Sequence, residues 1–422
     1  MIQFLMMTDA KKTVLFDRHA PSASCEAREG AKSQIVPFAG WLMPLWYQSI
    51  SAEHGAVRKT AGLFDCTHMA VLEITGKDAL NFLNILTTND VSMLKPGKAQ
   101  YSYILDLLGN IIDDVIIYCI SGDNYMMVVN AANENSVKNW IQKVRIDFGE
   151  LSRAEKILID NNWQFEVRDF KDSSLPDARV DIALQGPASA ECLKNIFGAD
   201  FGKLKPLTFT QVKTEDLDVI ISATGYTGSK IGFELFVHPA KAPMLWDIVL
   251  ERGKNLGIVP CGLGARDSLR IEAGLPLYGH ELDGEFNISP FQAGYPWAVK
   301  LQKQGFIGKE AILKKSDNWQ TEVARLKFDG GAGVRPIRQF DGILKASGEC
   351  IGHVLSCAKV DDRQIVLALI EKQYNIIGSP AGVYYVARNI SHIQQGRKEK
   401  VKAGDKLDAD IVGKVAERFE KF

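Results

Sequence analysis

At 422 residues the chain exceeds what one ordinary hydrophobic core holds, and two or three domains are expected. Its 46% hydrophobic and 24% charged content is that of a globular chain, and a formal net charge of −1 excludes the electrostatic footprint of a nucleic-acid or anionic-membrane binder. No apolar run reaches the length that spans a bilayer, and the opening Met1-Ile2-Gln3-Phe4-Leu5-Met6-Met7 is too short for a secretory h-region. Seven cysteines without CxxC spacing fit a reducing compartment, so a cytoplasmic location is expected.

In chain order, Phe38-Ala39-Gly40-Trp41-Leu42-Met43-Pro44 offers a small-residue turn between aromatics, suited to the wall of a flat-ligand pocket. Residues 50–61 carry a helical pattern that enters Gly62-Leu63-Phe64-Asp65. Val71-Leu72-Glu73-Ile74 is a strand, and Asp78 caps an amphipathic helix through Leu86. Gly109-Asn110-Ile111-Ile112-Asp113-Asp114 then leads into Val115-Ile116-Ile117-Tyr118, a buried strand. Successive strand residues face opposite ways, so one carboxylate looks into the fold while the other is solvated or caps a turn. A helix follows from Glu134 to about Val144.

Residues 146–180 are charged, with turn signals at Asn161-Asn162 and Ser173-Ser174-Leu175-Pro176, and read as an insertion or an elongated connection. A second α+β unit starts at Val180-Asp181-Ile182-Ala183-Leu184-Gln185-Gly186-Pro187 and runs through Thr224-Gly225-Tyr226-Thr227-Gly228, a tight loop presenting Tyr226. Glu234 lies between Phe233 and Leu235. It is either satisfied by donors, as a carboxylate accepting from the paired N–H groups of a heterocycle, or exposed on an edge strand.

Gly262-Leu263-Gly264-Ala265-Arg266-Asp267 opens a helix, with Asp267 at its positive end and Arg266 available to a carboxylate or carbonyl. That Gly-Leu-Gly lacks both the P-loop Lys-Ser/Thr and the dinucleotide GxGxxG, which excludes both nucleotide readings. From Val323 onward the pattern changes to short strands split by Gly-rich turns, at 324–328, 351–354 and 365–370, with 401–405 then leading to 407–411, and reads as a small barrel. The histidines form no HExxH or Cys/His cluster, so no metal is expected, and His68 reads as a structural, hydrogen-bonding histidine.

Taken in order, these segments resemble the aminomethyltransferase family, the T-protein of the glycine cleavage system. The resemblance rests on Phe38-Ala39-Gly40-Trp41 with Met43-Pro44, Gly62-Leu63-Phe64-Asp65 with His68-Met69, Thr88-Asn89-Asp90, and Gly97-Lys98-Ala99 with Tyr101-Ser102. It continues through Ile112-Asp113-Asp114, Val128-Val129-Asn130-Ala131-Ala132-Asn133, Leu184-Gln185-Gly186-Pro187, Thr224-Gly225-Tyr226-Thr227-Gly228, Gly232-Phe233-Glu234, Gly262-Leu263-Gly264-Ala265-Arg266-Asp267 and Phe306-Ile307-Gly308-Lys309-Glu310-Ala311.

The resemblance implies a three-domain, cloverleaf-like α+β architecture. Residues 1–315 would form a folate-binding region of two interleaved α+β subdomains, with roughly 71–145 inserted in the other and an extra segment at about 146–180. Residues 320–422 would form a C-terminal β-barrel. It further implies a tetrahydrofolate-dependent enzyme that takes the methylene of a lipoyl-bound aminomethyl group from a carrier, the H-protein, and releases ammonia. By the family match Asp114 is catalytic, Glu234 binds the pterin, Arg266 is the active-site arginine, Tyr101, Asn130 and Tyr226 line the pocket, and Met69 forms its wall. The chain departs from the family pattern at Asp106-Leu107-Leu108-Gly109-Asn110, in extra residues between His19 and Ala31, and in ending on Phe419 and Phe422. A folate-dependent demethylase of a small methylated amine, sulfonium or aryl ether is the alternative reading.

Overall fold

A computed structural model describes residues 10–19, 33–146, 163–316 and 319–422. The opening heptad, the stretch between His19 and Ala31 and the Asn161-Asn162 turn lie outside these residues. Two compact units emerge, Met1–Arg266 with Trp297–Ile312 and Asp267–Pro296 with Leu313–Phe422. Among the described residues no helix is long and apolar enough to cross a membrane.

The first unit opens with β1 (Lys11–Lys12), β2 (Gln34–Phe38) and β3 (Trp41–Trp46), a small sheet in the order β1-β3-β2. Ala39 and Gly40 take φ of 48° and 81° at the β2–β3 turn, the double positive φ that a two-residue hairpin loop demands. The segment expected as a pocket wall is thus a hairpin, and Phe38 meets the His68 ring edge-on at 5.8 Å.

The helix Ile50–Lys59 precedes β4 (Ala61–Asp65), and a turn at residues 66–69 passes the chain to β5 (Ala70–Thr75) in a different sheet. There β6 (Lys98–Leu105), β7 (Ile111–Ser121), β8 (Asn124–Val129) and β9 (Glu166–Asp169) complete five strands in the order β6-β7-β8-β5-β9. The chain then returns to the β4 sheet through β10 (Val180–Gln185), β11 (Phe209–Lys213), β12 (Asp218–Ser222), β13 (Gly232–Val237) and β14 (Ile258–Cys261), in the order β11-β12-β13-β10-β4-β14.

Alternation assigns the faces. Ile182, Leu184, Phe233, Leu235 and Val237 point to a core that the helices Ser189–Phe197 and Ala242–Gly253 cover. Val115, Ile117, Met127 and Val129 point to another, under the helices Ala79–Leu86 and Glu134–Ile146. The two remaining faces pack on each other, with Val71, Ala99, Tyr118, Met126 and Val128 of the five-stranded sheet against Ile220 and Phe236 of the six-stranded one. Polar residues on these inner faces are therefore partly or wholly withdrawn from solvent.

Three expectations are corrected. Asp78 stands at the N-cap of Ala79–Leu86 but makes no capping bond, because its Oδ2 accepts from the Gln164 amide at 2.8 Å. The charged stretch after residue 162 is not all connection. Glu166–Asp169 is the edge strand β9, and its Arg168 Nε donates to buried Glu73 at 2.6 Å. Asp267 lies outside the first turn of Leu263–Ala273, and its carboxylate instead accepts from Arg270 Nε at 2.7 Å.

In the second unit a closed barrel runs β15 (Thr321–Asp329), β18 (Arg363–Glu371), β17 (Cys350–Val360), β16 (Gly342–Lys345), β19 (Pro380–Tyr384) and β20 (Ile411–Ala416). The short strands β16 and β19 carry no strong alternation, and the last strand begins only at Ile411. Asp267–Pro296 joins this unit through Arg270, a buried guanidinium that donates to Glu281 at 2.5 Å and to Ser356 at 3.0 Å.

Gly186 connects β10 to the next helix at φ +133°, where a Cβ would sit 2.5 Å from the Thr60 carbonyl oxygen and 2.6 Å from Ala61 Cα. Gly198 at φ +73° has nothing within 4 Å. Gly186→Ala should therefore lower the urea-unfolding free energy by more than about 2 kcal/mol, whereas Gly198→Ala should cost only the left-handed backbone penalty of about 1 kcal/mol. Equal losses would refute the clash.

Candidate functional site

Alternation along β7 sends Asp113 and Asp114 to opposite faces, with one result the sequence did not supply. Asp113 is fully buried, not solvated. It accepts from the Asn130 amide at 2.9 Å, from Asn130 Nδ2 at 2.8 Å and from Asn133 Nδ2 at 2.7 Å, fixing the turn that starts Glu134–Ile146. Asp114, half-buried, looks toward the inner layer and accepts from the Tyr101 hydroxyl and from Asn130 Nδ2, both at 2.9 Å. One amide thus touches both carboxylates. Burial and the adjacent Asp114 push the Asp113 carboxyl well above its ordinary value, against its Asn133 and Asn130 bonds. Burial raises Asp114 as well, opposed by Tyr101 and Asn130.

Tyr101 lies on β6 across from Ile116, and its ring meets Trp297 at 5.8 Å. The segment bearing Trp297 is anchored by Lys303, a buried ammonium donating to the carbonyls of Asn84 at 2.5 Å, Thr87 at 2.7 Å and Asn89 at 2.7 Å. Burial pulls that ammonium down to about 7. Asn89 Nδ2 in turn donates to the Tyr101 carbonyl at 2.8 Å.

Four residues beyond Asp114, about 13 Å along the strand, Tyr118 faces the same layer. Its hydroxyl donates to Glu234 Oε2 at 3.2 Å, and Thr224 Oγ1 donates to the same oxygen at 2.5 Å. Glu234 is 8% exposed on a central strand, which overturns the edge-strand alternative. Among the described residues its Oε1 accepts no hydrogen bond.

Tyr226 sits in the long β12–β13 connection, shaped by Gln185 rather than by a hairpin turn. Gln185 Nε2 donates to the carbonyls of Thr224 and Phe233 at 3.1 Å, and its Oε1 accepts from Thr227 Oγ1 at 2.9 Å. A Cβ on Gly225 would lie 2.0 Å from that oxygen, so any larger residue there would displace the Gln185 amide.

Arg266 stacks over the Tyr226 ring at 5.2 Å and donates from Nη1 to Cys66 Sγ at 3.2 Å. Burial pushes the Cys66 thiol well up despite Arg266, so the sulfur is an acceptor and not a nucleophile. The double glycine beside Arg266 has a packing cause. A Cβ on Gly262 would meet the Leu45 carbonyl at 2.5 Å, and the Gly262 amide donates to buried Glu53 at 2.8 Å.

Met69 closes the turn between the sheets and packs against the inner layer. His68 beside it is not the hydrogen-bonding histidine expected. Burial pulls its imidazole down to about 4 against the pull of Asp65, and Nδ1 has no partner among the described residues. Asp65 anchors the turn from the other side. It accepts from Thr13 at 2.8 Å and from Thr67 N and Oγ1 at 2.8 and 2.7 Å, with His19 Nε2 2.8 Å away.

The expected residues thus assemble on one layer as two clusters, Tyr101–Asp114–Asn130 and Glu234–Arg266–Tyr226, joined by β7. Tyr118, Thr224, Cys66 and Asp181 are not among the expected residues. Asp181 carried the signal that singled out Glu234, a carboxylate between two apolar strand residues.

The family model described as the GCVT N-terminal domain matches residues 25–303. The aminomethyltransferase of Thermoanaerobacter pseudethanolicus is 35% identical over 378 residues, 88% of this chain and 93% of that protein. That of Lysinibacillus sphaericus is 37% identical over 379 residues, 89% and 93% of the two chains. The crystal structure of glycine cleavage system aminomethyltransferase T from Bartonella henselae superposes with a TM-score of 0.75 at 27% identity, covering 98% of this chain and 99% of that one.

Burial raises the Asp65 carboxyl, but His19 and Thr67 outweigh it and hold the group at about 2 against an ordinary 3.8. The folded pKa is depressed, so this stabilisation is present above pH 3.8 and is lost as pH falls through about 2. Asp65→Asn should cost about 2 kcal/mol at pH 7, and the difference from the unaltered protein should shrink between pH 5 and pH 2 in urea titrations. A difference independent of pH would contradict the paired-carboxylate account.

Proposed function

The chain belongs to the aminomethyltransferase family of the GCVT domain, and from that premise we propose that it is the tetrahydrofolate-dependent aminomethyltransferase of the glycine cleavage system. It moves the methylene of a lipoyl-bound aminomethyl group to folate and releases ammonia. The observation that carries the site assignment is the polar track on the inner layer, Tyr101–Asp114–Asn130 at one end of β7 and Tyr118–Glu234–Thr224 at the other.

The residues suit a folate. A flat heterocycle with N–H donors fits a buried carboxylate with one oxygen open, beside an arginine lying on an aromatic face. When bound, tetrahydrofolate supplies the nitrogen that accepts the one-carbon unit. Glu234, its other oxygen held by Thr224 and Tyr118, accepts from the pterin N–H edge. Arg266 and Tyr226 bound the same end, and Met69 forms the wall. Asp114 is held by Tyr101 and Asn130 before any ligand arrives, so its charge is in place where positive charge develops and little reorganisation is needed. Asp113 is a positioning residue, acting through Asn130. The lipoyl carrier, the H-protein, as partner and a cytoplasmic setting belong to the same proposal. Folate-dependent ammonia release from an aminomethyl-lipoyl carrier tests it, against a panel of methylated amines, sulfoniums and aryl ethers. Turnover of the panel and not of the carrier would replace it with the demethylase reading.

Asp114→Asn should lower kcat by about 10²–10³-fold and leave folate affinity within a few-fold. Asp113→Asn should be milder in kcat and should lower unfolding stability by about 1–3 kcal/mol, since it unpairs the Asn130 and Asn133 donors. Matching kcat losses without a stability change in the second variant would show that the two faces have been assigned wrongly.

Glu234→Ala should weaken tetrahydrofolate binding in titration calorimetry by about ten- to a hundredfold for each charge-assisted bond lost. An unchanged Kd would remove Glu234 from the pterin site.

A further inference from the structure

The helix Ile50–Lys59 carries two charged side chains that reach away from it to the two partners of one stack. Glu53, 1% exposed, accepts at Oε1 from the amides of Tyr47 at 2.6 Å and Gln48 at 2.9 Å. Its Oε2 accepts from the Gly262 amide at 2.8 Å. Further along the helix, Arg58 Nη2 donates to the Thr227 carbonyl at 2.9 Å. Gly262 stands at the start of the helix that bears Arg266, and Thr227 follows Tyr226, the ring on which Arg266 lies.

A single residue joins Glu53 to Arg266. Gly262 gives its amide to the carboxylate and accepts at its carbonyl from the Arg266 amide at 3.1 Å. The negative charge of Glu53 also faces the positive end of the helix Leu263–Ala273.

The guanidinium itself has weak holds. Its side chain meets the Cys66 sulfur, a thiol that burial keeps protonated, and the Tyr226 face. Neither is the ionised acceptor that fixes a guanidinium fork. The place of Arg266 therefore depends on where its helix starts and on where the ring beneath it is held.

We infer that Glu53 and Arg58 are positioning residues of the Arg266–Tyr226 pair, one fixing the start of the arginine's helix and the other the tyrosine's loop. One helix thereby sets both members of the stack at the pterin end. The inference rests on the folate reading above.

Glu53→Gln separates this role from the packing of the helix. A glutamine of the same length has one acceptor oxygen. Turned to Tyr47 and Gln48, that oxygen satisfies two amides and leaves the NH2 facing the Gly262 N–H, donor against donor. The Arg266 end is then released while the corner at residues 47–48 stays tied.

The test is titration calorimetry of the full chain with tetrahydrofolate, on the unaltered protein, Glu53→Gln, Arg266→Ala and the double variant. Arg266→Ala should weaken binding by about ten- to a hundredfold, and Glu53→Gln by about three- to tenfold. The double variant should bind within about twofold of Arg266→Ala alone, because an arginine that is absent cannot be misplaced. A purely structural acid would instead weaken binding by the same factor in both backgrounds. Factors that multiply, or an unchanged Kd for Glu53→Gln or for Arg266→Ala, would overturn the inference and leave the folate reading standing. If Glu53→Gln does not fold, Arg58→Met, which frees the Thr227 carbonyl, takes its place in the same cycle, and multiplying factors there overturn the inference. An unaltered protein that binds no tetrahydrofolate would overturn the folate reading and this role together.

Discussion

Tyr118 holds the two-sheet unit together in a way that the rest of the site depends on. Its ring meets Phe236 edge-on at 5.2 Å, inside the apolar patch where the sheets touch, while its hydroxyl reaches Glu234 on the opposite sheet. Hydrophobic contact therefore fixes the spacing of the sheets, and the hydrogen bond fixes their register at the point where a carboxylate must be oriented. Because Asp114 is four residues back on the same strand, the geometry at one end of the track is set rigidly with respect to the other. A ligand long enough to touch both ends finds them already placed, which is the advantage of building a site on strands rather than on loops.

The support behind Asp114 is more elaborate than a single carboxylate needs. Asn130 is gripped through both its amide N–H and its side chain by Asp113, and Tyr101 is braced through Asn89 by the Lys303 ammonium. The Asp113 carboxyl, buried and pushed upward, is the component of this arrangement least comfortable on its own, and it persists because three donors converge on it. Its adjacency to Asp114 in sequence is a consequence of the strand period: one residue serves each face, so a support and a functional group can be consecutive.

What was legible in the sequence was what alternation and composition encode directly. Phe233-Glu234-Leu235 and Val115-Ile116-Ile117-Tyr118 declare buried strands, and the change of texture after residue 320 declares the barrel. What escaped depended on partners distant in sequence. Asp78 has the residue type and place of a cap but spends its carboxylate on Gln164, 86 residues away. Glu166–Asp169 looks like a solvated connection because its charges answer to Glu73 and Asp177, not to solvent alone. Gly262 and Gly264 look like a ligand loop, whereas they admit the backbone of residues 44–45. No local pattern carries such information.

The carboxyls show how partner counting separates architecture from function more sharply than burial does. Glu53, Asp65, Glu73, Asp113, Asp181 and Glu234 are all nine-tenths buried or more, so burial alone would nominate all six. Asp65 is surrounded by donors and held at about 2, the condition of an acid whose work is finished when the chain folds. Asp113 is raised but fully paired, and its donors belong to one turn, which makes it a brace. Glu234 is paired at one oxygen only. Asp181 has an Oδ1 without a hydrogen-bond partner among the described residues. Glu234 and Asp181 share one face of one sheet, beside the Arg266 guanidinium.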